Sequence, residues 1–366
     1  MADSAREERF RAAAAVLRRR MVRRIAAGGG LTDPAWRAAF EEVPRHVFVP
    51  GEDLGPGGAL RGLAAAYSDR PIGTRVLDGE LVSSSSQPSL MALMCEALDV
   101  RDGQRVLEIG AGTGYNAALF AHRLGPGAVT TVDLDEEITA GARAHLAAYG
   151  TAAARGVTVV TGDGALGYPP GAPYDRVIAT CELAAVPPAW LAQCAPGARV
   201  LMPFATGLVA LTVHGPDSAE GRFLHTPAFF VPMRGPRAER PRPAGRGDGA
   251  ERERATDAPP RVVANDLFRF LLTLVAGPLE VDWSPVTGEA RLRAADGSGA
   301  VARPDHTVRL SGPRDLWAPA ETAHTLFRTH HHPPRPRFGL SVTGPHQWTW
   351  LDTPEGPARW PVPGHG

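Results

Sequence analysis

The sequence contains no lysine: all 39 of its basic residues are arginine. That absence excludes a phosphate-binding loop of the G-x-x-x-x-G-K-[ST] type, a Schiff-base lysine for pyridoxal phosphate and any lysine general base. Cysteine is scarce too. Cys95, Cys181 and Cys194 form no C-x-x-C pair, which argues against a zinc ribbon or a disulfide framework. No run approaches the roughly 18 apolar residues of a membrane span. The 39 acidic residues balance the 39 basic ones, so no net field draws the chain to nucleic acid or a membrane. The start is arginine-rich, but Asp3, Glu7 and Glu8 argue against a transit peptide and AAAAVL is too short for a signal core. The expectation is a cytoplasmic enzyme or binding protein.

What is present is turn chemistry and periodicity. Gly (41) and Pro (35) are abundant, and 366 residues suggest about two domains. Residues 5–27 carry apolar side chains at helical spacing up to Gly28-Gly29-Gly30, and a second helix is expected from an Asp33 cap through Pro34 to Glu42. From Arg105 to Val213, β-rich runs alternate with helical stretches: RVLEIG (105–110), AVTTVDL (128–134), VTVVTG (157–162), DRVIAT (175–180), ARVLMPF (198–204) and GLVALTV (207–213). That alternation predicts a doubly wound parallel sheet, and the close spacing of the last two runs predicts an antiparallel pair at one edge. FLHTPAFFVPMR (223–234) is a further candidate strand. Residues 235–260 hold almost no large apolar side chain and read as a disordered linker. The predicted organisation is an N-terminal helical segment (1–50), a catalytic α/β domain (51–234), the linker (235–260) and a small α+β domain (261–366).

The strongest chemical signal is Val106-Leu107-Glu108-Ile109-Gly110-Ala111-Gly112-Thr113-Gly114-Tyr115. A buried strand running into G-x-G-x-G brings backbone close to a ligand where a helix begins. The next strand ends at Asp133-Leu134, placing a carboxylate for a ribose diol. Both NAD and S-adenosylmethionine sites share these features. Tyr115 stands where a dinucleotide fingerprint wants Gly or Ala, and the acidic Glu108 suits a cationic ligand without a pyrophosphate. Gly162-Asp163-Gly164, at the end of the third strand, offers a carboxylate for an adenine amino group. Ser83-Ser84-Ser85-Ser86-Gln87-Pro88 has two readings, a helix cap at Ser86 or a hydroxyl that holds a carboxylate ligand. His330-His331-His332 are adjacent in sequence and cannot all converge on one ion, so no metal site is expected.

Taken in order, VPRHVFVP (43–50), AYSDRPIG (66–73), SSQP (85–88), VLEIGAGTGYNAA (106–118), GDG (162–164), PYDRVIAT (173–180) and VPPAWLAQCAPGARVLMP (186–203) resemble the protein-L-isoaspartate O-methyltransferases over about residues 10–234. The resemblance implies a class I (Rossmann-like) methyltransferase fold and S-adenosylmethionine as cofactor. It implies Ser86 as the active-site serine, with Ser85, Glu108, Gly110, Gly112, Gly114, Asp133, Leu134, Asp163 and Gly164 at the cofactor. The implied partner is a peptide or protein carrying Asp or isoAsp. An ionised carboxylate, with pKa near ~4, attacks without a general base, which agrees with the lack of a His/Asp or lysine base around these motifs.

Three departures from the family pattern stand out. TRVLDGELV is inserted ahead of four serines, and 235–366 extends beyond the general repair enzyme; Cys181 and Glu182 also stand where the family has small residues. The lid and extension resemble the actinobacterial relatives linked to ribosomal (lanthipeptide-type) peptides. The preferred expectation is therefore methylation of an Asp side chain in a cyclic peptide, the ester collapsing to an aspartimide. General isoaspartate repair and a non-catalytic peptide-binding role remain as alternatives.

Overall fold

A computed structural model describes residues 2–49, 58–235 and 251–362. Alanine, arginine and leucine, all good helix formers, carry α1 (Ala2–Ala27) to Gly28, and Gly29 turns the chain away at φ +89°. α2 (Pro34–Glu42) starts as predicted, with Asp33 accepting from the Ala35 amide at 2.7 Å. The short α3 (Arg45–Phe48) and α4 (Gly58–Ala66) follow. Next, β1 (Ile72–Leu77) and β2 (Glu80–Ser85) form an antiparallel hairpin. Its turn is Asp78-Gly79, at φ +51° and +83°, the two-residue geometry that matches strand twist. α5 (Pro88–Ala97) leads on to the sheet.

The central run is β3 (Val106–Ile109), α6 (Tyr115–Leu124), β4 (Val129–Asp133), α7 (Glu136–Tyr149), α8 (Ala152–Arg155), β5 (Thr158–Thr161), β6 (Tyr174–Ala179), α9 (Pro188–Ala192), β7 (Cys194–Phe204), β8 (Gly207–Gly215) and β9 (Ser218–Pro227). β7, β6, β3, β4 and β5 lie side by side in parallel. β3 is flanked by both β4 and β6, so the order reverses there and opens a crevice at the strands' carboxyl ends. Successive residues of one strand face opposite sides. Leu107 and Val177 join the core on one face, while Val106 and Ile178 join α1, α2, α5 and α6 on the other. This two-sided burial explains why β3, β4 and β6 show no strict alternation of polar and apolar residues, whereas β5 at the sheet's edge is partly exposed.

The remainder comprises β10 (Arg252–Ala255), α10 (Asp266–Ala276), β11 (Glu280–Trp283), β12 (Ala290–Arg293), β13 (Gly299–Ala302), β14 (Thr307–Ser311), α11 (Trp317–Thr329), β15 (Phe338–Thr343), β16 (His346–Leu351) and β17 (Arg359–Pro361). Three expectations change here. The β7–β8 pair is antiparallel but not at an edge, because β9, β15, β16 and β17 continue the sheet to ten strands. A division at residue 260 therefore does not follow the sheet: β10–β14 form a separate five-stranded antiparallel unit, while β15–β17 belong to the main one. Phe270 of α10 also packs edge-on against Phe223 of β9 and Phe338 of β15, with ring centres 4.8 and 5.4 Å apart. Finally, of the expected linker, residues 236–250 lie outside the described residues, but Arg252–Ala255 is a strand paired with β14. Arg254 there binds Asp315 at 2.8 Å and Glu321 at 2.7 Å, so ion pairs rather than apolar side chains hold this strand. No helix among the described residues is long and apolar enough to cross a membrane.

Candidate active site

A cavity opens at the carboxyl ends of β3, β4 and β6, where the strand order reverses. Its floor is Ile109, Gly110 and Gly112. Gly110 sits at φ +97°, and a Cβ there would lie 2.5 Å from Thr180 Oγ1, the hydroxyl that donates to the Gly110 carbonyl at 2.9 Å. Only glycine leaves this backbone open to a ligand. Asp133 closes one wall. Its oxygens accept from the Gly112 and Asp135 amides, each at 3.3 Å, and Arg234 Nη2 stands 4.0 Å away. Burial raises the Asp133 pKa above the ordinary carboxylate range, against the lowering effect of those amides.

Gly110, Gly112, Asp133, Leu134 and Gly164 of the predicted residues line the cavity together. The other predicted cofactor residues are placed elsewhere. Glu108 neighbours Ile109 on β3 and so faces the opposite side, fully buried, accepting from Asn116 Nδ2 at 2.6 Å. Burial, with the nearby Asp133 charge adding to it, raises its pKa to about 7. Gly114, at φ +82°, begins α6 and meets α7, a Cβ there lying 3.3 Å from the Ala142 carbonyl. Asp163 caps the following turn through the Ala165 amide at 2.9 Å. Gly164 reaches the cavity because Trp190, wholly buried, donates to its carbonyl at 2.8 Å and fixes the loop. Ser85 is buried with its hydroxyl turned to Arg45, and Ser83 and Ser84 line the cavity in its place.

Ser86 is half-buried and does not cap α5. The cap position is Gln87, and the carboxylate of Asp69 accepts from the Ser89 amide at 2.9 Å and from Gln87 Nε2 at 3.3 Å. VPRHVFVP, AYSDRPIG and SSQP thus meet physically: Arg45 from the first binds Ser86 and Asp69 from the second binds Gln87 of the third. The hairpin is fastened on the other side, where Arg75 pairs with Asp135 at 3.1 Å and with Glu137. Val76, Leu77 and Leu81 on it are exposed.

The sequence reading missed the opposite wall, Val231 to Arg234. This strap is pinned by two backbone hydrogen bonds, the Glu182 amide to the Val231 carbonyl at 2.9 Å and the Met233 amide to the Glu182 carbonyl at 2.8 Å. Cys181 lines the cavity, and burial pushes its thiol up to about 12, away from the thiolate form. No signal in FFVPMR marks it as a wall, because its partner Glu182 is about 50 residues earlier in the chain. Of the three adjacent histidines, His330 faces Asp352 and His332 stacks on Phe327 at 4.4 Å.

Residues 17–227 match the family model for protein-L-isoaspartate(D-aspartate) O-methyltransferase (PCMT). The protein-L-isoaspartate O-methyltransferase 1 of Anaeromyxobacter sp. (strain Fw109-5) is 40% identical over 216 residues, 58% of this chain and 93% of that relative. The protein-L-isoaspartate O-methyltransferase of Hyperthermus butylicus is 35% identical over 241 residues, 63% of this chain and 91% of that relative. A solved structure named protein-L-isoaspartate O-methyltransferase superposes with a TM-score of 0.56 at 25% identity, over 89% of this chain and 96% of its own. Residues 1–234 are less than two thirds of the chain, so that coverage must include much of 235–366. The carboxyl-terminal extension does not set this chain apart from a protein of that name.

Proposed function

The chain belongs to the protein-L-isoaspartate(D-aspartate) O-methyltransferase family and is an S-adenosylmethionine-dependent methyltransferase; from that premise we propose that it esterifies the free carboxyl of isoaspartyl residues in peptides and proteins generally. The observation that carries the reading is the continuity of one wall. Ser83 and Ser84 line the cofactor cavity beside Gly112, and the chain runs from them past the end of β2 to the half-buried Ser86.

The residues present suit the cofactor. Gly110 and Gly112 leave open backbone, and Asp133 offers a carboxylate for the ribose hydroxyls. When bound, S-adenosylmethionine supplies an electrophilic methyl group on a cationic sulfur. The chain's own task is then to hold an already ionised carboxylate in line and to exclude water, which needs no general base. Because the attack neutralises charge, low polarity around the reacting atoms speeds it. Ser86 donates a hydrogen bond that orients the acceptor oxygen and does not itself attack. Val82 and Ser83 on one side and the strap on the other keep water out.

A narrower reading retains the constrained cyclic peptide. Methylation of its Asp side chain would let the following backbone nitrogen attack the ester carbonyl, expelling methanol and closing a five-membered imide. What favours it is the hairpin β1–β2 beside the cavity, whose exposed Val76, Leu77 and Leu81 offer apolar surface to a bulky ligand. The extension lends it no weight, so general repair is the first reading. Competition between a linear isoAsp peptide and cyclic Asp peptides, with the methyl ester followed by mass spectrometry, separates them. Preference for the linear isoAsp peptide supports repair; turnover of cyclic Asp peptides alone supports the narrower reading.

A further inference from the structure

The segment that presents the acceptor serine has no ladder of its own. β2 ends at Ser85 and α5 begins at Pro88, so neither element's backbone hydrogen bonds fix Ser86. A misplacement of about 1 Å can cost on the order of 100-fold in rate, so a group that must orient one oxygen needs its backbone held.

The hold comes from Arg45 of α3, whose side chain is wholly buried. Nη1 donates to the carbonyls of Ala66 at 2.7 Å and Ser68 at 3.2 Å. Nη2 faces the carbonyls of Arg70 and Ser85 and the Ser85 hydroxyl, each at 3.3 Å, and the Ser86 carbonyl at 3.0 Å. Every one of these acceptors is neutral, and among the described residues no carboxylate touches the guanidinium. Asp69, the charged group beside it, is turned to the Ser89 amide and Gln87 instead. A buried cation without a direct counter-ion is costly, and here its donors tie down five backbone carbonyls that an apolar side chain would leave without that partner. All the acceptors lie on two segments, 66–70 and 85–86, and the second is the one that carries the acceptor serine. The planar fork is what allows one side chain to bridge both.

We propose that Arg45 is a positioning residue for methyl transfer, acting on the acceptor through the Ser85–Ser86 backbone that it holds. The inference rests on the reading of Ser86 as the group that orients the acceptor. Lysine retains the charge but carries its three donors on a single atom, and it cannot span both segments as the fork does. Arg45 lies outside the cofactor cavity, so its loss acts on turnover and not on cofactor affinity.

The test is a double-mutant cycle of Arg45→Lys and Ser86→Ala in the full chain, read as kcat and KM for a linear isoAsp peptide and as the cofactor Kd by calorimetry. Ser86→Ala alone is expected to lower kcat about tenfold or more. Arg45→Lys should lower it comparably in the parent, but by less than about twofold on top of Ser86→Ala, with cofactor Kd held within about twofold throughout. Full kcat in a folded Arg45→Lys variant, or the same fractional loss in both backgrounds, would overturn the inference. Full kcat in Ser86→Ala would instead overturn the reading of Ser86, and the inference with it. Should Arg45→Lys not fold, Arg45→Gln carries the test, since its single neutral amide keeps a donor for one segment but cannot span both. A drop in kcat of about two- to fivefold, absent when combined with Ser86→Ala, is expected, and an unchanged kcat overturns the role of Arg45.

Discussion

Replacing Glu108 with Gln should stabilise this protein at alkaline pH and leave it unchanged at acid pH. Glu108 is fully buried, one oxygen accepts from Asn116, and the other lies beside the Thr131 hydroxyl with no well-aligned hydrogen bond among the described residues. A glutamine keeps the accepted bond and brings an N–H to the unpaired side, so the substitution removes charge without orphaning a group. The carboxyl pKa is raised in the fold from 4.5 to about 7, chiefly by burial. A raised carboxyl pKa contributes stability that is fully present below the unfolded value and is lost as pH rises through the folded one. At about 1.36 kcal/mol per unit, the loss across this window is roughly 3 kcal/mol. With an unfolding entropy of about 2.1 cal/mol/K per residue over the whole chain, that is roughly 4 °C in Tm. Thermal unfolding of parent and Glu108→Gln at pH 4.5 and pH 8 tests this. The variant should melt a few degrees higher at pH 8 and alike at pH 4.5. A lower Tm at pH 8 would mean that Glu108 is ionised and paired in the fold. A cofactor Kd weakened about tenfold would mean that its charge reaches the cofactor after all.

Asp133→Asn should weaken S-adenosylmethionine binding by about 1.5–3 kcal/mol, the range for a charged hydrogen-bond acceptor, with calorimetric titration as the check. Because the Asp133 pKa is raised and its ionised form is the better acceptor, cofactor affinity of the parent should begin to fall above the ordinary carboxylate range as pH is lowered. In Asp133→Asn that pH dependence should be lost. Phe270→Ala, which opens the contact between α10 and the main sheet, should cost about 3–5 kcal/mol in chemical denaturation. A smaller cost, with loss confined to β10–β14, would mean that the five-stranded unit unfolds independently of the main sheet.

The parallel half of the fold was legible because its inner strands β3, β4 and β6 are largely buried and the carboxyl ends of β3, β4 and β5 are marked by Gly110, Asp133 and Gly162. Pairing across long sequence distances was not. β15 meets β9 in a register that sets Leu340 opposite Gly221, and a Cβ at Gly221 would lie 1.8 Å from the Ala210 carbonyl of β8. Nothing local in either strand announces that match. The β1–β2 hairpin did carry a signal, Asp78-Gly79 between IGTRVL and ELVSSS, but its serines, such as Ser83 bonded to Thr74, mimic a polar loop. At the site, residue type was a better guide than side-chain direction. Glu108 and Ser85 belong to motifs at the cavity yet face away from it, whereas the Val231–Arg234 wall rests on contacts with Glu182 that no motif encodes.

The most direct measurement is transfer of an isotopically labelled methyl group from S-adenosylmethionine to two linear peptides that differ only in holding isoAsp or Asp at one position. The account predicts one labelled methyl ester on the isoAsp peptide, later lost as methanol when the chain closes to the imide, with little label on the Asp peptide. Cofactor binding with no label on any carboxyl, in linear or cyclic peptides, would contradict it and leave a protein that binds without catalysing.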